Sequence, residues 1–227
     1  MRGIPIACAM NLGNSPTAVQ AGPTTSAWRD RLQHARMCGQ NAWWSVTLNH
    51  AELHRRREAN ADALQRLEMV STLLGLPIDV PVPAEALRPT QLRALADLPE
   101  HLVSWDEGHL IRRTTPPLCV NHVVVRARTF RRGLEAVSEF ATYCAGSVVL
   151  PAAAPVTDWD LSEASYYGVG VYRASSDRLA CLVEAESFPD WPETAASWVF
   201  SETLWQQLRP QYSVGIEPIR RAVSPTP

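Results

Sequence analysis

Pro77, Pro81, Pro83 and Pro89 fall within one short stretch and divide the chain. A proline ring fixes φ and removes a backbone donor, so no regular helix or central strand can run through that stretch. What folds before it and what folds after it must be separate runs of structure joined by an extended link. At 227 residues there is room for one large domain or two small ones.

Before the link the pattern is helical. Residues 1–23 carry Gly, Pro, Asn and Ser without periodicity and read as an irregular arm. Thr24, Thr25 and Ser26 are N-cap types, Trp28, Leu32 and Ala35 follow at helical spacing, and Gly39 supplies a stop. From Trp44 the apolar positions Leu48, Ala51, Ala59, Ala63, Leu67, Val70 and Leu74 predict a long helix or two nearly collinear ones, closed by Gly75 and Pro77. With a short helix from Thr90 to Leu98, residues 24–98 read as a helical region.

After the link strands enter. Glu100 to Pro117 reads as an edge hairpin or a loop, turning at Asp106-Glu107-Gly108. Cys119 to Ala127 is a valine-rich strand, and Phe130, Leu134, Val137, Ala141 and Cys144 form a helical stripe ended by Gly146. Ser147 to Leu150 is a brief extra strand, followed by a proline- and alanine-rich loop to Glu163. Tyr166 to Arg173 and Arg178 to Glu186 read as strands joined at Ala174 to Asp177. A helix through Trp198, Trp205 and Leu208 stops at Pro210, Tyr212 to Ile216 forms a last strand, and residues 218–227 are a tail. The expected class is α+β: an N-terminal helical layer packed on a ferredoxin-like β-α-β-β-α-β antiparallel sheet spanning residues 100–217.

All 21 basic side chains are arginine. The absence of lysine points to a GC-rich bacterial genome and excludes Schiff-base, Walker-type and Ser-Lys chemistry. A net charge of −2 gives no global attraction to nucleic acid, and the runs Arg55-Arg56-Arg57, Arg112-Arg113 and Arg126 to Arg132 read as solvated faces. The five cysteines are scattered without C-x-x-C spacing, which fits a reducing cytoplasm. No segment approaches the length of a membrane span or a signal peptide. Nothing names a cofactor; Gly168-x-Gly170 lacks the helix that a dinucleotide motif requires.

Strand alternation suggests where chemistry could gather. It puts Val123 and Val125 on the core side and His122, Val124 and Arg126 opposite, with Leu179, Cys181, Val183, Val169 and Val171 also inward. One sheet face would then collect His122, Glu184 and Glu186 as candidate catalytic groups. Arg126, Tyr166 and Tyr172 would be ligand contacts beside Gly168 and Gly170. Cross-strand charge pairs and tyrosines covering glycines account for the same residues structurally. A nuclease-like set of Asp160 or Asp177 with Glu184 and Glu186 lacks the usual lysine. His50 and His54, at i and i+4, are candidate metal ligands that need a third partner such as His34.

Eight tryptophans, with Trp43 and Trp44 adjacent, suggest a docking surface. The expected role is therefore an interaction or regulatory protein that binds a partner, a small ligand or another copy of itself. It would use the sheet face or the Trp-bearing helices. The alternative is a small hydrolase or nuclease-like enzyme, with or without a metal, that has a His-Glu-Tyr site on that face.

Overall fold

In a computed structural model, which describes residues 32–96, 98–175, 179–189 and 192–213, Cys38 and Gly39 both hold positive φ, 50° and 79°. Two successive left-handed residues make the two-residue turn that matches strand twist. So β1 (Gln33–Met37) and β2 (Gln40–Leu48) pair antiparallel, with Met37 opposite Gln40. This corrects the helical reading of residues 33–48. The spacing from Trp44 to Leu48 mimics a helix, but Ala42 and Trp44 are buried at i, i+2 spacing while Trp43 occupies the other face. The expected arm, the first turns of the expected first helix and the C-terminal tail lie outside the described residues.

Helical structure follows in pieces: α1 (His50–Glu58), α2 (Leu67–Leu74) and α3 (Pro89–Ala96). Asn49 caps α1, its Oδ1 accepting from the Glu52 N–H at 3.2 Å. The proline-rich link forms β3 (Pro81–Pro83), an edge strand of a three-stranded sheet ordered β3-β5-β4. An edge is the one place where strand prolines cost no ladder bond. In that sheet β4 (Val103–Asp106) and β5 (His109–Arg112) form the expected edge hairpin, turning through Glu107 and Gly108 at φ 44° and 81°.

The remaining elements are β6 (Leu118–Arg126), α4 (Phe130–Ser138), β7 (Ala145–Pro151), α5 (Asp158–Tyr166), β8 (Gly170–Ala174), β9 (Leu179–Val183) and α6 (Ala195–Ser213). The main sheet has six strands in the order β1-β2-β6-β7-β8-β9. The fold is mixed α/β. Among the described residues no helix is long and apolar enough to cross a membrane.

The ferredoxin-like order is corrected at two places. β7, read as an extra, lies between β6 and β8 and pairs parallel with both. The reason is α5, which occupies what reads as a loop; a parallel pair needs such a crossover. A capping box starts it, Thr157 Oγ1 accepting from the Asp160 N–H while Asp160 accepts from the Thr157 N–H. The last helix also runs past Pro210, so Tyr212 is helical and not the start of a strand, and 214–216 are outside the described residues.

One face of the sheet packs against α4 and α6 through Trp44, Val123, Val125, Phe140, Val148, Leu204 and Leu208. A Cβ at Gly133 would come 2.3 Å from Val148 Cγ1, so α4 seats on β7 only because that position is glycine. A second core joins Leu73, Leu95, Leu110 and Trp198. Helix α6 therefore touches both cores, through Leu204 and Leu208 on one side and Trp198 on the other.

Candidate functional site

His122, Val124 and Arg126 do share the sheet face opposite the main core, as alternation predicts, and Tyr172 joins Val124 there in a small cluster. The rest of the expected set disperses. Tyr166 is the last residue of α5 and 84% exposed. The β8–β9 pairing slips between Val171 and Tyr172, which brings Val183 to the core side and turns Leu179 and Cys181 away from it. Glu184 and Glu186 follow β9 on the exposed surface, and the Glu186 N–H donates to the Gly168 carbonyl at 2.9 Å. His122 is buried, whereas the two glutamates are exposed.

His122 has a different neighbour: its Nε2 lies 2.8 Å from Ser147 Oγ, and both residues are buried. Sequence reading missed Ser147, although a serine within an apolar strand is a visible signal. Neither residue lines either of the two clefts described below. Burial pushes the His122 pKa from 6.5 down to about 4. A histidine held neutral in the fold is a pH liability. Below its ordinary value the unfolded chain takes up a proton that the folded chain refuses, so stability is full near neutrality and falls as pH drops toward about 4. The loss attributable to this group reaches about 3 kcal/mol. Urea midpoints of the parent and His122→Gln between about pH 7.5 and 4.5 should show the parent falling more steeply. Parallel slopes would contradict the assignment.

The weaker alternatives also separate. His50 and His54 are exposed on α1, with His54 Nδ1 3.4 Å from Glu58 Oε2, while His34 stacks edge-on to Trp43 on β1. Among the described residues no three His, Cys, Asp or Glu side chains gather as a metal site. Asp160 is occupied capping α5, and Asp177 lies outside the described residues.

The arginine run that reads as a solvated face is instead half interior. On α1 the i+3 and i+4 spacings bring Arg55 and Arg56 back over Glu52. Arg55 Nη2 and Arg56 Nε each donate to the Glu52 carboxylate at 2.6 Å, and Thr114 Oγ1 adds a bond of 2.8 Å. From the far end of the chain, Glu202 on α6 receives both Arg56 Nη1 and Nη2 at 2.6 Å and the Trp198 indole N–H at 2.8 Å. Arg55 also donates to the His101 carbonyl. Glu52, Arg56 and Glu202 are 4, 5 and 0% exposed. Burial alone would lower the Arg56 pKa, but Glu202 and then Glu52 outweigh it and raise it. Two carboxylates face two guanidinium groups, so the network is internally neutral and locks α1 to α6.

Beside it opens a cleft of about 480 Å³, lined by Leu53, Arg56, Arg57, Asn60, Ala61, Trp205, Arg209 and Tyr212. The Trp205 and Tyr212 rings stand 5.6 Å apart at 36°. The Tyr212 hydroxyl accepts from Gln33 Nε2, and burial pushes its pKa up, so it stays neutral. The Arg57 guanidinium is exposed and makes no hydrogen bond or ion pair among the described residues. Among the described residues no carboxylate lines the cleft.

No family model, curated protein or solved structure matches this chain. The chemistry must be read from the side chains alone. The cleft offers guanidinium donors, two aromatic rings and a carboxamide, with no His, Cys, Ser or acid among its lining residues. That set suits holding an anion next to an apolar group. Trp205 was legible as a helical tryptophan. The charge-neutral floor was not, because Arg56 and Glu202 are 146 residues apart.

Proposed function

We propose that this chain is a binding protein, a cytoplasmic interaction or regulatory factor. The Trp205-bearing helix and α1 together hold an acidic segment of a protein partner that also carries an aromatic or apolar side chain. The carrying observation is the cleft, in which Arg57 lies uncommitted beside half-buried Trp205 and Tyr212 with no acid on the walls. Its volume of about 480 Å³ falls where small recognition sites fall. Because Glu52 and Glu202 already neutralise Arg55 and Arg56, the charge offered to a partner is that of Arg57. Guanidinium groups bind carboxylates with geometric selectivity, and the flanking rings reward an apolar neighbour.

The reading is tested with a labelled short peptide of alternating glutamate and phenylalanine, followed by fluorescence anisotropy. Saturable binding that weakens with salt is expected. Arg57→Glu, alone and combined with Arg209→Glu, should weaken it by about tenfold or more, and Arg57→Glu alone should leave the thermal midpoint unshifted, since that side chain is exposed. An alternating glutamate–serine peptide should bind less well. Binding insensitive to the double substitution would remove the cleft from consideration. Light scattering of the free protein reports separately whether a second copy is the partner.

A further inference from the structure

β6, β7 and β8 run parallel and end together at Arg126, Pro151 and Ala174. The carboxyl edge of parallel strands is where open sheets leave a crevice for ligands, because the chain departs there toward its crossover helices. Such a crevice is present, about 200 Å³ in volume, with Arg126, Arg128, Val149, Pro151 and Ala174 among its walls. Register explains its two-part chemistry. Arg126 sits opposite Val149, and Val149 opposite Tyr172, all on the face away from the main core. Val149 is buried and gives an apolar base, while Arg126 and Arg128 stand exposed above it.

Arg126 is also oriented. Its guanidinium carbon lies 5.8 Å from the centroid of the Trp43 ring. At that distance the electron-rich face of the indole attracts the cation without consuming any of its N–H donors. Among the described residues neither Arg126 nor Arg128 makes an ion pair and no acid lines the crevice. Trp43, adjacent to the core residue Trp44, thus does separate work on the opposite face.

We infer that this crevice is a binding site for a small oxyanion-bearing molecule, a carboxylate or phosphate with a short apolar body. The charged group would sit on Arg126 and Arg128 and the body on Val149, Pro151 and Ala174. The site is distinct from the α1–α6 cleft, and either can fail without the other.

The test is NMR titration of the full chain with inorganic phosphate, butyrate and, as the ionic-strength control, sodium chloride. The signals followed are the Arg126 Nε–H and the Trp43 indole N–H. Saturable shifts with phosphate or butyrate, but not chloride, are expected. Saturation by phosphate alone assigns a phosphate-bearing ligand, and saturation by butyrate alone a carboxylate. Arg126→Gln and Arg128→Gln should each weaken binding by about tenfold, with an unchanged thermal midpoint, while Arg57→Glu leaves it intact. Shifts that track ionic strength equally for all three salts would overturn the inference. So would saturable binding that survives both arginine substitutions or that disappears with Arg57→Glu.

Discussion

Arg56→Ala will cost the fold about 3–5 kcal/mol, read as a large fall in the denaturant midpoint. The magnitude comes from what is left behind. Arg56 donates three charge-assisted bonds to Glu52 and Glu202, which are 4 and 0% exposed. Truncation leaves those carboxylates inside the protein with one fewer cation. Glu52 keeps Arg55 and Thr114, and Glu202 keeps only the Trp198 indole among these partners. A carboxylate without a counter-charge in such a setting is far costlier than a lost surface pair. The contrast is Arg57→Ala, one residue along the same helix and exposed, for which the loss should stay within about 0.5 kcal/mol. Near-equal losses for the two substitutions would mean that the network is solvated and does not lock α1 to α6.

Trp44→Ala will cost about 3–5 kcal/mol as well, by a different route. Trp44 is fully buried, stands edge-on to Phe140 at 4.9 Å and to Phe200 at 5.8 Å, and donates its indole N–H to the Ala35 carbonyl at 3.2 Å. Its removal opens a cavity between the β1–β2 hairpin, α4 and α6 that rigid neighbours cannot fill. Trp43→Ala should cost much less, because its ring is only half-buried on the other face. On a helix the two tryptophans would lie about 100° apart and share surroundings in part. On a strand they face opposite ways. Chemical denaturation of the two variants separates those cases, and equal losses would contradict the hairpin.

The parts of this fold that were legible in sequence are those where local chemistry and tertiary structure agree. Val123 and Val125 alternate with His122, Val124 and Arg126, and the strand obeys. Phe130, Leu134 and Val137 mark the buried stripe of α4, and Glu107-Gly108 makes its hairpin turn. The misread parts are those where no local signal dominates. Cys38 adopts a left-handed φ that its side chain does not advertise, so the turn before β2 is silent. Helix α5 buries only Ala164, which leaves no apolar stripe to betray it, and the Thr157–Asp160 capping box was its one local mark. Missing that helix turned a parallel β7–β8 crossover into a loop and produced the ferredoxin-like order.

The candidate site follows the same division. Arg126 was singled out by alternation and does line a crevice, and Trp205 was recognised as a helical tryptophan and does line the larger cleft. Glu184 and Glu186 were placed by a register that the β8–β9 bulge shifts. Arg55 and Arg56 were read as solvent-facing because their run is charged throughout. The burial of Arg56 depends on Glu202 arriving from a helix that sequence proximity cannot associate with α1.

The most direct test of the central claim is a nitrogen–proton correlation spectrum of the tryptophan indoles, recorded while the alternating glutamate–phenylalanine peptide is added. Eight tryptophans give separately assignable probes spread through the chain. Binding in the α1–α6 cleft predicts a saturable shift of the Trp205 indole, with Trp44 and Trp198, both fully buried, holding still. A Trp205 signal that stays fixed while the peptide binds elsewhere would contradict the account.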